Sequence, residues 1–220
     1  LSKEVATTLG GRFFIYDAYP YSFKEYLAAQ HVELKEHWEY DTIQRSEVKR
    51  HLNEYFYYGG LPEILSFKNK RAMLSSLYQK IYLGDICARN NIKNDRVLNI
   101  LIKKMAESVK QPLSYNRLKN VIVATGSPIS VPTTIDYVDY ASDSWLILPM
   151  ENEVGKLTEK EMQKKYYFVD NGLLNLFLMN SETSLLENMV AVELCRRFGK
   201  KNVFFLNAEK EIDFIVPDEK

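Results

Sequence analysis

"PLSYNRLKNVIVATGSPISVPTTIDYVDYASDSWLILPM", residues 112–150, decides how the chain divides. Ser114 reads as a helix N-cap, because a serine there accepts an amide of the first turn, and Leu118, Val121 and Ile122 follow at helical spacing. "TGSPIS" turns the chain. Pro132 then opens a second helix through Ile135, Tyr137 and Val138, since proline fits a first turn, where its missing N–H has no role. "WLILPM" reads as a strand, and after the polar run "ENEVGKLTEKEMQKK" comes another, "YYFVD".

Helix, turn, helix and two strands is the order of a winged helix, with residues 151–165 as the wing. A helix that enters a DNA groove needs Lys or Arg near its start. "PTTIDYVDYAS" carries Asp136 and Asp139 instead. The candidate contacts to a DNA backbone are therefore Arg117 and Lys119 on the preceding helix and Lys164 and Lys165 at the end of the wing. Use of this module for packing or protein contact is the favoured reading, with DNA as the alternative.

Working outward, "SKEVATTL" predicts a helix with Val5, Ala6 and Leu9 on one face, ended by two glycines, and "RFFIYDAY" predicts a short buried strand. Pro20 and Ser22 open a helix carrying Phe23, Tyr26 and Leu27, and residues 31–45 form a polar connection. From Ser46 a helix places Val48, Leu52, Tyr55 and Phe56 together and stops at "GGLPEIL". A long helix over 69–90 carries Met73, Leu77, Ile81 and Ile86, and the next carries Val97, Leu101 and Met105. Past the wing, "NGLLNLFLMN" and "SLLENMVAVELCRRFG" read as helices, "NVFFLN" and "EIDFIV" as strands. The class is α+β, mostly helical.

The 220 residues are 46% hydrophobic and 13% aromatic, which excludes disorder. Twenty-nine basic residues balance twenty-nine acidic ones, so a nucleic acid or any other charged partner must be met by a local patch. No run approaches the roughly 18 apolar residues of a membrane span, and the start lacks the layout of a signal peptide. Cys87 and Cys195, with no ligand-spaced neighbours, read as buried free thiols of a cytoplasmic protein. His31, His37 and His51 read as ordinary surface or interface residues, and "EYFYYGG" as core rather than a platform for bases. No G-x-x-x-x-G-K-[ST] loop is present to cradle a nucleotide. The absence of an initiator Met and the stop just after a strand predict a piece of a longer polypeptide.

"EKEIDFIV", residues 209–216, alternates so that Glu209, Glu211 and Asp213 share one face while Ile212, Phe214 and Val216 share the other. Acidic groups in a row are costly on a buried strand unless a cation lies opposite. Glu187 on the preceding helix and Asp213 on this strand follow the layout of restriction-endonuclease-like nucleases, in which two carboxylates bind Mg²⁺ and a lysine orients the attacking water. The strand that would carry Glu-x-Lys or Gln-x-Lys is not in the chain. The alternative is that Glu187 pairs on its helix and "EIDF" is a solvated strand face; the residues leave both open.

"LSKEVATTLGGR", "YPYSFKEYL", "YYGGLPEIL", "IYLGDICARNNIKN", "PLSYNRLKN", "TTIDYVDYASDSWLI", "KYYFVDNGLLN", "LLENMVAVEL" and "EIDFIV" together resemble, in order and over nearly the whole chain, the C-terminal half of bacterial and archaeal AAA-type P-loop ATPases. The resemblance implies an ATPase core upstream, with ATP and Mg used by the parent and no cofactor in this part. It implies that Arg12 lies near the nucleotide, as an arginine finger or as a tie from helix to core sheet. It divides the chain into the core's tail and connection (1–45), a helical linker (46–110), a winged-helix-like domain (111–170) and an incomplete restriction-endonuclease-like α/β portion (171–220). The role implied is a regulatory or effector module, partnered by the upstream ATPase domain, another protein and nucleic acid, with a metal-dependent nuclease as the alternative.

Overall fold

A computed structural model describes residues 14, 16–179, 181–208 and 210–217, and the fold is mixed α+β with helix predominant. The expected helix over 2–9, together with Arg12 and Glu209, lies outside the described residues. The described part of "RFFIYDAY" forms no strand; Phe14 and Tyr16 are exposed. A strand needs a neighbour to take its amides, and among the described residues no strand of the sheet pairs with this segment. Tyr19 instead sets its ring edge-on to Trp145.

Helix α1 (Phe23–Ala29) starts with a reciprocal cap between Ser22 and Glu25. A 3₁₀ turn, Trp38–Tyr40, leads to α2 (Thr42–Tyr58), which begins earlier than Ser46 because Asp41 accepts the amides of Ile43 and Gln44. The single helix expected over 69–90 is two: α3 (Lys70–Lys80) passes into a π-helix (Ile81–Ala88), whose wider turn brings Tyr82, Ile86 and Cys87 inward together. Helix α4 (Asp95–Glu107) buries Val97, Leu98, Leu101, Ile102 and Met105 at helical spacing.

Strand β1 (Leu113–Ser114) is followed by α5 (Tyr115–Ala124), capped by Ser114 through the Arg117 amide, and α6 (Val131–Asp143), capped by Ser130 with Pro132 in its first turn. Between β2 (Ile147–Asn152) and β3 (Gln163–Phe168) the polar run is no open hairpin, because it winds into α7 (Leu157–Met162). Then come α8 (Asn171–Asn175), α9 (Glu182–Phe198), β4 (Phe204–Asn207) and β5 (Glu211–Ile215). The sheet order is β1-β3-β2-β4-β5, antiparallel except where β2 and β4 run parallel. One apolar core runs from Ile64 through α4 and the sheet to α9 and Phe205. Both cysteines are free and buried in it, as their setting predicts. No helix among the described residues is long and apolar enough to cross a membrane.

A buried carboxylate joins the helical part to the sheet. Asp170 leaves the end of β3, caps α8 by accepting the amides of Gly172 (2.8 Å) and Leu173 (3.3 Å), and accepts Gly60 from the end of α2 (2.8 Å). A methyl group on Gly59 would collide with that carboxylate, and one on Gly172 would collide with the Tyr58 carbonyl. Burial drives the Asp170 pKa up while the amides hold it down, and burial prevails, leaving it at about 6 rather than 3.8. Since the folded value exceeds the unfolded one, this group favours folding fully below pH 3.8, and the contribution, about 3 kcal/mol, is lost as pH rises through 6. The amide resonances of Gly60 and Gly172 should therefore titrate together with a midpoint near pH 6. Asp170→Ala should abolish that titration and cost about 3 kcal/mol in urea unfolding, because it orphans buried amides. Gly84→Ala, whose methyl meets nothing within 4 Å, should leave stability unchanged or slightly raised.

Candidate functional site

Lys165 and Tyr167 are two apart on β3 and so share a face. Lys165 is fully buried, an unusual place for an ammonium group. Its Nζ donates to Asp213 Oδ1 at 2.8 Å and lies 3.4 Å from Glu187 Oε1 and 3.6 Å from Glu211 Oε1. The ring of Phe205 sits 5.7 Å from the same nitrogen. Tyr167 donates its hydroxyl to Glu187 Oε1 at 2.9 Å and packs its ring near Phe214. Burial first, and the Glu187 carboxylate second, raise the Tyr167 pKa, so the phenol keeps its proton and stays a donor.

The two carboxylates read from the sequence, Glu187 and Asp213, are thus brought to one point, with Glu211 beside them. Glu187 is nearly buried, whereas the side chains of Glu211 and Asp213 are about half open to solvent. The cation opposite the acidic face of β5 is a lysine. Among the described residues, no group of three or more His, Cys, Asp or Glu side chains is arranged to hold a metal ion. As the site stands, its chemistry is charge compensation and anchoring: an internal ammonium fixes β5 and α9 to β3.

Of the four cations expected along a DNA backbone, Arg117 is exposed on α5 and Lys119 is partly so. Lys164 is engaged by Glu151 (3.0 Å) and Glu161 (3.1 Å); burial pulls its pKa down, but those bonds outweigh it and raise the value. Lys165, buried in its carboxylates, offers no surface charge. His51, read as an ordinary surface or interface residue, is buried, because α2 turns it toward the Tyr26 ring. The sequence reading missed Lys165 as the counter-charge and Asp170 as a clasp. The available signal was "KKYYFVD", whose period of two puts Lys165 on the face of Tyr167 and Val169.

A separate cleft of about 620 Å³ lies between α1, α2 and α9, walled by Phe23, Leu52, Met189 and Val190. Its arginines are paired within the protein: Arg196 with Glu25 and Glu193, and Arg197 with Glu193. Asp170 at its edge already accepts main-chain amides.

The chain belongs to the family described as a domain of unknown function, DUF8612, whose model matches residues 49–184. It is similar to an uncharacterized protein of Methanocaldococcus jannaschii, MJ1544, with 30% identity over 224 residues covering 98% of this chain and 50% of that protein. It is also similar to an uncharacterized protein of Haemophilus influenzae, with 31% identity over 221 residues covering 98% of this chain and 53% of that one. The chain therefore spans about half the length of the curated relatives it matches. No solved structure matches it.

If Lys165 serves as the internal counter-ion, Lys165→Met should cost about 3 kcal/mol in urea unfolding at pH 7, because Glu187 is left nearly buried beside two like charges. Glu211→Gln, at a side chain more than half exposed, should cost less than about 1 kcal/mol.

Proposed function

We propose that this chain is the C-terminal regulatory or effector module of an AAA-type P-loop ATPase, working through protein contacts and secondarily through DNA, with the nucleotide site elsewhere in the same cytoplasmic polypeptide. The observation that carries the reading is the lysine among the carboxylates: where a nuclease needs Mg²⁺, Asp213 holds the Lys165 ammonium at 2.8 Å. A module whose acidic groups are internally neutralised acts by the surfaces it presents.

Several further features support it. The motifs that resemble the ATPase family include those that make the Asp170 clasp, "YYGGLPEIL" and "KYYFVDNGLLN". The curated relatives are about twice as long as the matched stretch, which leaves room in them for a nucleotide-binding core. Within the chain, α4, β1, α5, α6, β2 and β3 follow one another and pair as in a winged helix, with α7 inside the wing. Helix α9 with β4 and β5 is the beginning of a restriction-endonuclease-like layer. Protein contact is favoured over DNA because α6 carries Asp136 and Asp139 and Lys164 and Lys165 are engaged. By the resemblance alone, Arg12 is the nucleotide-proximal candidate, as an arginine finger or as a tie from helix to core sheet.

The second reading, a metal-dependent nuclease driven by the ATPase, is favoured by one observation: Glu187 and Asp213 converge on a lysine, which are the groups that metal binding and water orientation require. Assays of ATP turnover and of Mg²⁺- or Mn²⁺-dependent plasmid cleavage by the full-length protein separate the two. Turnover without cleavage is expected, with no turnover by the 220-residue chain alone. Cleavage that Asp213→Asn abolishes would establish the nuclease instead, and a full-length protein without ATP turnover would remove the ATPase parent.

A further inference from the structure

Between the second half of α2 and the start of α3 lies a cleft of about 550 Å³, lined by Arg50, Asn53, Glu54, Lys68, Lys70 and Arg71 among others. Four cations and one carboxylate meet there, in a chain whose net charge is zero. How each cation is held decides what the cleft can do. Lys70 is the internal one: nearly buried, it lies 3.1 Å from Glu54 and donates to the carbonyls of Ile64 and Leu65. Arg50 lies with Nη2 2.8 Å from Nε2 of His51. That ring is buried, and burial first, then the Arg50 charge, lower its pKa, so it accepts as a neutral imidazole. Arg71 donates to the main-chain carbonyl of Asn175. Lys68 is exposed and has no ion pair among the described residues.

Arg50 and Arg71 are therefore oriented by neutral acceptors, which fix their positions without cancelling their charges. That is the opposite of the 620 Å³ cleft, where Glu193 takes up both Arg196 and Arg197. Uncompensated guanidinium groups held in place are preorganised for an oxyanion, and their planar forks match phosphate oxygens. The first amides of α3, at Lys70 and Arg71, have no acceptor within the helix, and both residues line the cleft. Among the described residues Tyr58 is the one aromatic wall, so recognition is of a phosphate rather than of a base.

We infer that this cleft is a phosphate-binding site, with Arg50, Lys68 and Arg71 as contacts and the Lys70–Glu54 pair as its frame. The phosphate comes from a free polyphosphate or from a nucleic-acid backbone. The site does not depend on the ATPase reading, since its test reads binding by this chain alone.

The test titrates the chain with inorganic tripolyphosphate by calorimetry, and with a fluorescein-labelled single strand of about 20 nucleotides by anisotropy, both at low salt. Binding of at least one probe is expected, weakened roughly tenfold or more by Arg50→Gln combined with Arg71→Gln. Lys68→Gln, which breaks no ion pair within the protein, should weaken it as well and guards against a folding defect in the double variant. Lys93→Gln with Lys103→Gln, at exposed cations that do not line this cleft, should leave it unchanged. Sensitivity of tripolyphosphate alone identifies the small anion; sensitivity of the oligonucleotide identifies the backbone. Failure of both probes to bind, or binding that survives all three cleft substitutions, overturns the site.

Discussion

The carboxylate of Asp170 gathers amides from two distant stretches of chain, and most of the architecture follows from that convergence. It forces glycine where α2 ends and where α8 begins, because a side chain at Gly59 or Gly172 would occupy space already filled. Asparagines extend the clasp. Asn188 of α9 bonds both the amide and the carbonyl of Phe168 and reaches Asn171, which in turn donates to the carbonyls of Phe56 and Leu185. Strand β3, α2 and α9 are knitted by polar groups that are satisfied only in this one arrangement. Such a network supplies less net stability than an apolar core of equal size, but it penalises any slip of register, because each lost partner strands a buried polar atom.

That register is what places Lys165. Only two residues, Tyr166 and Tyr167, separate Phe168, pinned by Asn188, from the lysine, and the period of a strand carries the constraint along β3. A shift by one would turn Lys165 away from Glu187 and bury Tyr166 or Lys164 beside it. The polar clasp and the ion-pair hub are therefore one system, with the first fixing the geometry that the second needs.

Much of this was legible in the residues. Ser22 and Ser114 announce their helices because a cap is a local bond over a few residues, and the structure has both of them in that role. The strands around "WLILPM", "YYFVD", "NVFFLN" and "EIDFIV" are likewise where hydrophobic patterning puts them. The losses are non-local or concern a change of period. Passage from α3 into a π-helix leaves the apolar spacing almost unchanged, so Ile81–Ala88 reads as ordinary helix. The "RFFIYDAY" run has the composition of a strand, but strand formation depends on a neighbour that composition does not specify. Glu187 and Asp213 do lie close together, yet the sign of the group between them depends on which face of β3 is buried, a property of the whole sheet.

The same logic accounts for how a neutral chain distributes its charge. A buried ammonium surrounded by carboxylates is expensive to assemble and more expensive to break, since removing either side leaves the other without water or partner. A metal ion entering the acidic group would have to displace the fully buried Lys165 ammonium from Asp213. Cations that close internal accounts in this way, Lys165 and Lys164, are thereby withdrawn from the surface. Those left open at Arg50, Lys68 and Arg71 determine where a negative partner is drawn, which is why the charge map differs from the one that sequence position alone suggests.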